Sequence, residues 1–329
     1  MLSRLAGGTA LAASIGCSSR KPSSSGPTKI KVLGGRSVSM STLFLTLESG
    51  YFKDADLDVE IDQLNSANAA IAPVISGKAD VIFTSLGVPF LAAMGKGLPL
   101  KIVAGRERAS TTCGNIGVII GLKKKFPNGL DNAAVLKGKT VGVGPMIGFP
   151  QFSLDTHLAS AGLSVEDIIP RTMRSPDAIA AMVSGSLDAA NVNFDFEKGL
   201  APVMSEIVRS PGLAHYYPNL QISHTFFGPS LLRADPDVGA RFLKAFLRGV
   251  RDFAAGGTPE YMKKLARESA VDPRDVTGMC RDSATPNCEI DMKSVKILSD
   301  WAFKRKYLSA PLDPAALVDA RFIERAHAT

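Results

Sequence analysis

The sequence predicts an α/β protein of two similar lobes, each with a mainly parallel sheet and flanking helices. Strand-like apolar runs alternate with helix-like stretches along most of the chain, the order that packs helices onto parallel strands. One α/β unit also occurs twice. Ala70-Ile71-Ala72-Pro73-Val74-Ile75-Ser76-Gly77-Lys78-Ala79-Asp80-Val81 returns 108 positions later as Ala178-Ile179-Ala180-Ala181-Met182-Val183-Ser184-Gly185-Ser186-Leu187-Asp188-Ala189, with Ala, Ile, Ala, Ser, Gly and Asp at matching offsets. Apolar runs ending in glycine, Lys29–Gly34 and Lys139–Gly144, precede the two copies at similar distances. Self-similarity of this kind is a fold-level signal, and two like lobes enclose a cleft.

The elements follow in order. Lys29–Gly34 reads as the first strand, the loop to Thr42 leads into a helix over Leu43–Glu48, and Leu57-Asp58-Val59-Glu60-Ile61 alternates as a strand. Asn65–Ser76 reads as a helix that Pro73 must kink or confine. Val81–Phe83 is a buried strand with Thr84-Ser85 at its end. A helix over Pro89–Met94 and a strand over Leu100–Ala104 follow. Gly117–Leu122 crosses into the second lobe, where Gly138–Gly144 restarts the pattern. Pro150 there suits the first turn of a helix that closes at Gly162. Gln221–Phe227 returns the chain to the first lobe. Pro236–Phe253 is an amphipathic helix, and the remainder is largely helical.

Of the 329 residues, 45% are hydrophobic and 21% charged, enough apolar material for two cores. The net charge is +7, but the basic residues are scattered, and neither Lys123-Lys124-Lys125 nor Lys304-Arg305-Lys306 is interleaved with aromatics. Nucleic acid is therefore not an expected partner. No Cys/His spacing matches a metal site, the four histidines form no nucleophile arrangement, and no cofactor or enzymatic activity is expected. Cys280 and Cys288, with Pro286-Asn287 between them, are candidates for a local disulfide, while Cys113 stands apart.

The first residues look like an export signal. Arg4 precedes a short apolar run, too short to span a bilayer, that ends in Ser14-Ile15-Gly16-Cys17. This resembles a bacterial lipobox with Ser where Leu is usual, and it nominates Cys17 for lipidation. Lys21–Pro27 is a polar tether.

Four ordered blocks carry a family resemblance: Glu48-Ser49-Gly50-Tyr51-Phe52 with Leu57–Ile61; Gly77–Val81 with Gly97-Leu98-Pro99-Leu100-Lys101; Leu136–Val143; and Ser184–Ala189. Together they resemble the nitrate/sulfonate/taurine and thiamine-precursor (NMT1/THI5-like) binding proteins. The resemblance implies a type II periplasmic binding fold with two hinge crossings, serving an ABC importer. The implied partners are a small-molecule solute and a membrane permease. The protein would be a monomer, periplasmic or at the cell surface, anchored by lipid. The implied division is 1–17 signal, 18–27 tether, 28–114 with 226–329 as lobe I, and 115–225 as lobe II. A thiamine-pyrimidine precursor protein and a sensory solute-binding domain are the alternatives.

In such sheets ligands bind beyond the carboxyl ends of the strands, where helix N-termini present free N–H groups. The chain then nominates four loops: Gly35–Thr42 and Thr84–Gly87 in one lobe, Pro145–Gln151 and Asn193–Glu197 in the other. The candidate contacts are Arg36, Ser37, Ser39, Thr42, Thr84, Ser85, Gly148, Phe149, Gln151, Asn193 and Asp195. Arg36 fits a carboxylate or sulfonate, whereas Asp195 fits an amine. Hydroxyls beside helix N-termini tilt the expectation toward an anionic or zwitterionic organic solute.

Overall fold

The structure, a computed structural model, describes residues 26–35, 38–64, 67–112, 117–144, 147–192, 203–234, 236–268 and 281–328. Among these, ten strands form two five-stranded sheets, one per lobe. The strands are β1 (Thr28–Gly35), β2 (Leu57–Leu64), β3 (Val81–Ser85), β4 (Lys101–Arg108), β5 (Val118–Leu122), β6 (Thr140–Val143), β7 (Ile169–Thr172), β8 (Ala189–Val192), β9 (Ile207–Arg209) and β10 (Gln221–Phe227). The first sheet has the order β2-β1-β3-β10-β4 and the second β7-β6-β8-β5-β9.

The two orders are the same pattern. In each sheet three strands pair in parallel, and the fourth position holds a strand antiparallel to both neighbours: β10 in the first sheet and β5 in the second. Each reversed strand is the one that has just arrived from the other lobe. β5 follows β4 into the second sheet, and β10 follows β9 back into the first, beginning at Gln221.

Helices Ser41–Glu48 and Pro236–Ala254 cover one face of the first sheet, burying Leu43, Phe242 and Phe246. Helices Val88–Gly95 and Met292–Lys304 cover the other, burying Phe90, Leu91, Val295 and Leu298. In the second lobe, Leu154 and Leu158 of helix Phe149–Ala159 pack on one face of the sheet. Ala178 and Met182 of helix Ser175–Ser184 pack on the other. No helix among the described residues is long and apolar enough to cross a membrane.

The sequence repeat is a repeat of geometry. Gly77 and Gly185 both close their helices in the left-handed region, at φ +75 and +89. One residue before each, the Ser76 and Ser184 hydroxyls donate to the carbonyls of Pro73 and Ala181, both at 3.0 Å. The Asp80 carboxylate then accepts from Lys31 N at 2.8 Å, and Asp188 accepts from Thr140 N at 2.8 Å. Asp80 N and Asp188 N return the bond to the carbonyls of those same residues at 2.9 Å. Asp80 thus locks β3 to β1, and Asp188 locks β8 to β6.

Two expected elements differ. The helix expected over Asn65–Ser76 is a 3-10 turn at Ala67–Ala70 and a short helix at Ile71–Ile75, so Pro73 sits in a first turn, where its missing N–H costs nothing. The strand expected to end at Ala104 runs on to Arg108. The chain near Cys288 backs its edge, with Gly105 N donating to Cys288 O, Thr285 N to Arg106 O and Arg108 N to Ser283 O.

Candidate functional site

The carboxyl ends of β1, β3 and β4 and the amino end of β10 meet at one end of the first sheet. The turn Val38–Met40 leads there into helix Ser41–Glu48. Ser39, Thr84 and Ser85 are half-buried at this end. Thr42 is nearly buried, and its carbonyl accepts from Thr46 Oγ1 at 2.7 Å. Arg36, Ser37, Asn193 and Asp195 lie outside the described residues, as do Cys17 and Cys280. Cys288 is a buried free thiol at φ +53, pushed up to about 12 by burial.

Helix N-termini from both lobes meet at this end. Gly87 precedes helix Val88–Gly95, and Gly148 precedes helix Phe149–Ala159. Both caps are extended glycines without a side-chain cap, and both are followed by a proline in the first turn. A Cβ built on Gly87 would stand 3.9 Å from Gly148 Cα, so the two caps nearly touch. Ile147, just before the second cap, is 45% exposed.

Phe149 and Gln151 lie in the packed seam between the lobes. Phe149 and Phe152 belong to the same core cluster as Phe90 and as Ile222 of β10, which pack on the first sheet. Gln151 is 1% exposed, and its Oε1 accepts from the Tyr307 hydroxyl at 2.9 Å. One turn further, Trp301 Nε1 donates to Asp155 Oδ2 at 2.9 Å, and Arg305 Nε lies 3.3 Å from the same carboxylate. Burial pushes Asp155 above the usual carboxylate range despite the opposing pull of Trp301 and Arg305. The Phe152 ring meets Trp301 edge-on at 5.4 Å and stacks on Tyr217 at 5.7 Å. Helix Phe149–Ala159 therefore serves two cores at once, its inner face in the second lobe and its first turn in the first.

The polar floor of the first lobe is the part that sequence reading missed. Arg106, on β4, is 3% exposed and lies over the Phe83 ring at 4.4 Å. Its Nη1 donates to Ser223 Oγ at 3.2 Å and its Nη2 to the Ser39 carbonyl, while its Nε has no partner. Glu107, next along the strand, is half-buried, and burial pushes its carboxyl up. His224, on β10, is fully buried with neither ring nitrogen paired, and burial lowers it to about 3. The signal was present as Gly105-Arg106-Glu107-Arg108, a charged run directly after an apolar strand. His157, in the other lobe, is a core histidine. Its Nδ1 meets the Tyr216 hydroxyl at 2.6 Å, and burial lowers its pKa. Among the described residues no cluster of three His, Cys, Asp or Glu could hold a metal.

Two α/β lobes, exchanging one strand each and presenting helix N-termini to a common cleft, define the periplasmic-binding-protein architecture. The chain belongs to the family described as NMT1/THI5 like, whose model matches residues 38–257. The periplasmic aliphatic sulphonate binding protein SsuA from Escherichia coli superposes with TM-score 0.69 at 15% identity, over 89% of this chain and 92% of that one. The periplasmic nitrate-binding protein NrtA from Synechocystis PCC 6803 gives 0.69 at 15%, over 92% and 89%. The desulfurization enzyme DSZB also shares the fold, at TM-score 0.60 and 13% identity over 92% and 99%, so function must be argued from the site. No curated protein matches the chain in sequence.

Proposed function

We propose that the chain is an extracytoplasmic solute-binding protein of an ABC importer, which closes two lobes on a small anionic or zwitterionic organic solute and delivers it to a permease. The observation that carries this reading is the meeting of the Gly87 and Gly148 helix caps between the lobes, backed by half-buried Ser39, Thr84 and Ser85. Free N–H groups and helix dipoles favour negative charge at such a point. Binding is favoured over catalysis by the structural likeness to the sulphonate- and nitrate-binding proteins, against which DSZB stands as the enzyme of the same fold. The Cys288 thiol is buried, and His224, although it stands opposite Thr84 in the sheet, makes no hydrogen bond to a hydroxyl through either ring nitrogen. Residues 28–114 with 226–329 and residues 115–225 would be the moving bodies, except that residues 221–225, as part of β10 in the first sheet, would move with the first. Cys17 would anchor the mature chain by lipid in the periplasm or at the cell surface.

A thermal-shift panel of nitrate, methanesulfonate, taurine, carboxylates, aminopyrimidines and polyamines tests the solute class. A true ligand at a hundredfold excess over its Kd stabilises the folded state by about 2.7 kcal/mol. Shifts confined to polyamines would overturn the anionic reading, and shifts confined to aminopyrimidines would favour the thiamine-precursor alternative.

A further inference from the structure

We propose that Arg106 is the residue that makes this cleft select anions, acting as a buried cation behind the Ser39 turn rather than by touching the solute. The inference rests on the solute-binding reading and assigns its charge preference to one side chain. The guanidinium is 3% exposed and has spent its Nη groups on a hydroxyl and a backbone carbonyl, both neutral. The Phe83 face beneath it is neutral too. No carboxylate among the described residues comes within ion-pair distance of it, and its Nε is unpaired.

The titratable neighbours among the described residues form no ion pair with it. Glu107, the next residue on β4, acts on it electrostatically, and burial disfavours the carboxylate against the opposing pull of Arg106 and Ser223. Cys288, pushed up to about 12, remains a thiol, and His224, lowered to about 3, remains uncharged at neutral pH. Burial lowers the guanidinium itself, yet arginine keeps its proton in proteins. An uncompensated buried charge is among the costliest features a fold can carry, so its place matters. This one stands near the carboxyl end of β4, donating to the carbonyl of Ser39 in the turn that leads into helix Ser41–Glu48, at the end of the sheet where the proposed cleft lies. A negative charge bound in front of that turn would supply the missing compensation across low-dielectric protein, where screening by salt is weak.

The test compares wild type with Arg106→Met, Arg106→Lys and Glu107→Gln, each checked for folding by circular dichroism. Calorimetric titration with methanesulfonate, taurine and nitrate is set against dimethyl sulfone, a neutral isostere of methanesulfonate. Wild type should prefer methanesulfonate to the sulfone by tenfold or more. Arg106→Met should reduce that preference to threefold or less, Arg106→Lys should restore most of it, and Glu107→Gln should hold or increase it. Equal weakening of both ligands by Arg106→Met would mean a scaffold role and overturn the proposal, as would an unchanged preference. If Arg106→Met fails to fold, a preference lowered by Glu107→Gln overturns it instead. Wild type that binds none of these anions removes the proposal together with the anionic reading, whereas wild type that binds them with Arg106-independent preference removes the proposal alone.

Discussion

The two copies of the repeated unit agree in their turns and differ in their surroundings. Both place glycine at positive φ, both back-bond a serine to the helix, and both lock the following strand to its parallel neighbour through an aspartate, β3 to β1 and β8 to β6. The second copy adds a cation. Lys125 Nζ lies 2.8 Å from Asp188 Oδ1 and also donates to the Leu187 carbonyl at 3.1 Å, whereas no lysine or arginine among the described residues pairs with Asp80. Burial opposes the charge on Asp188, but Lys125 and the Thr140 N–H together hold it below the usual range. The reversed strands differ more. β5, Val118-Ile119-Ile120-Gly121-Leu122, is apolar throughout, while β10 carries Gln221, Ser223, His224 and Thr225, all buried. What the copies share builds a sheet in either lobe. What they do not share is the Lys125 cation in the second lobe and the buried polar residues of β10 in the first.

The largest expected effect breaks the aspartate locks. Asp188→Ala should cost about 3 kcal/mol, because it orphans Thr140 N and strips Lys125 of its partner, and Asp80→Ala should cost about half as much. Urea denaturation of the two variants decides this. Equal losses would mean that Lys125 contributes nothing.

The second effect makes β10 more like β5. His224 stays neutral in the folded protein down to about pH 3, while an unfolded histidine takes up a proton below about 6.5. The unfolded state therefore binds more protons across that window, and stability falls as pH falls through it. The loss from this group is about 2 kcal/mol between pH 7 and pH 5. His224→Leu should remove that slope and leave stability at pH 7 equal or higher, since two unpaired buried nitrogens disappear. A variant with the same difference between pH 7 and pH 5 as wild type would show that His224 is paired or hydrated.

The smallest effect sharpens the likeness. A Cβ at Gly77 or Gly185 meets nothing within 4 Å, so alanine at either position pays only for its left-handed backbone, about 1 kcal/mol. The two losses should agree within about 0.5 kcal/mol, the usual error of such comparisons. A clear inequality in melting experiments would show that the turns are not equivalent.

The parts legible in the sequence were those written locally. Gly77 and Gly185, and Asp80 and Asp188, mark the two units because each acts within a few residues of itself or on the neighbouring strand. Pro73 was read as a residue that must kink or confine its helix, and the helix is confined to Ile71–Ile75. The extension of β4 was illegible because its edge is held by Ser283, Thr285 and Cys288, far along the chain. Gln151 and Phe149 looked like cleft residues because nothing near them announces Tyr307 and Trp301, which claim this helix from 156 and 146 positions away in the pairs Gln151–Tyr307 and Asp155–Trp301. Arg106 was passed over because a charged run after a strand reads as solvent-exposed, and only the packing of Phe83 and Ser223 shows it buried.

The exchange of β5 and β10 between the sheets sets an order of assembly. The second sheet is complete once the chain has reached Arg209, and all of its strands come from one continuous stretch. The first sheet must wait for Gln221–Phe227, because β10 is the partner of both β3 and β4. As the chain emerges, the inserted lobe can finish while the lobe begun first stands open, with two unpaired strand edges of the kind that recruit other chains. The amino-terminal lobe is therefore the last to close, and the hazard of misassembly falls in the interval before β10 arrives.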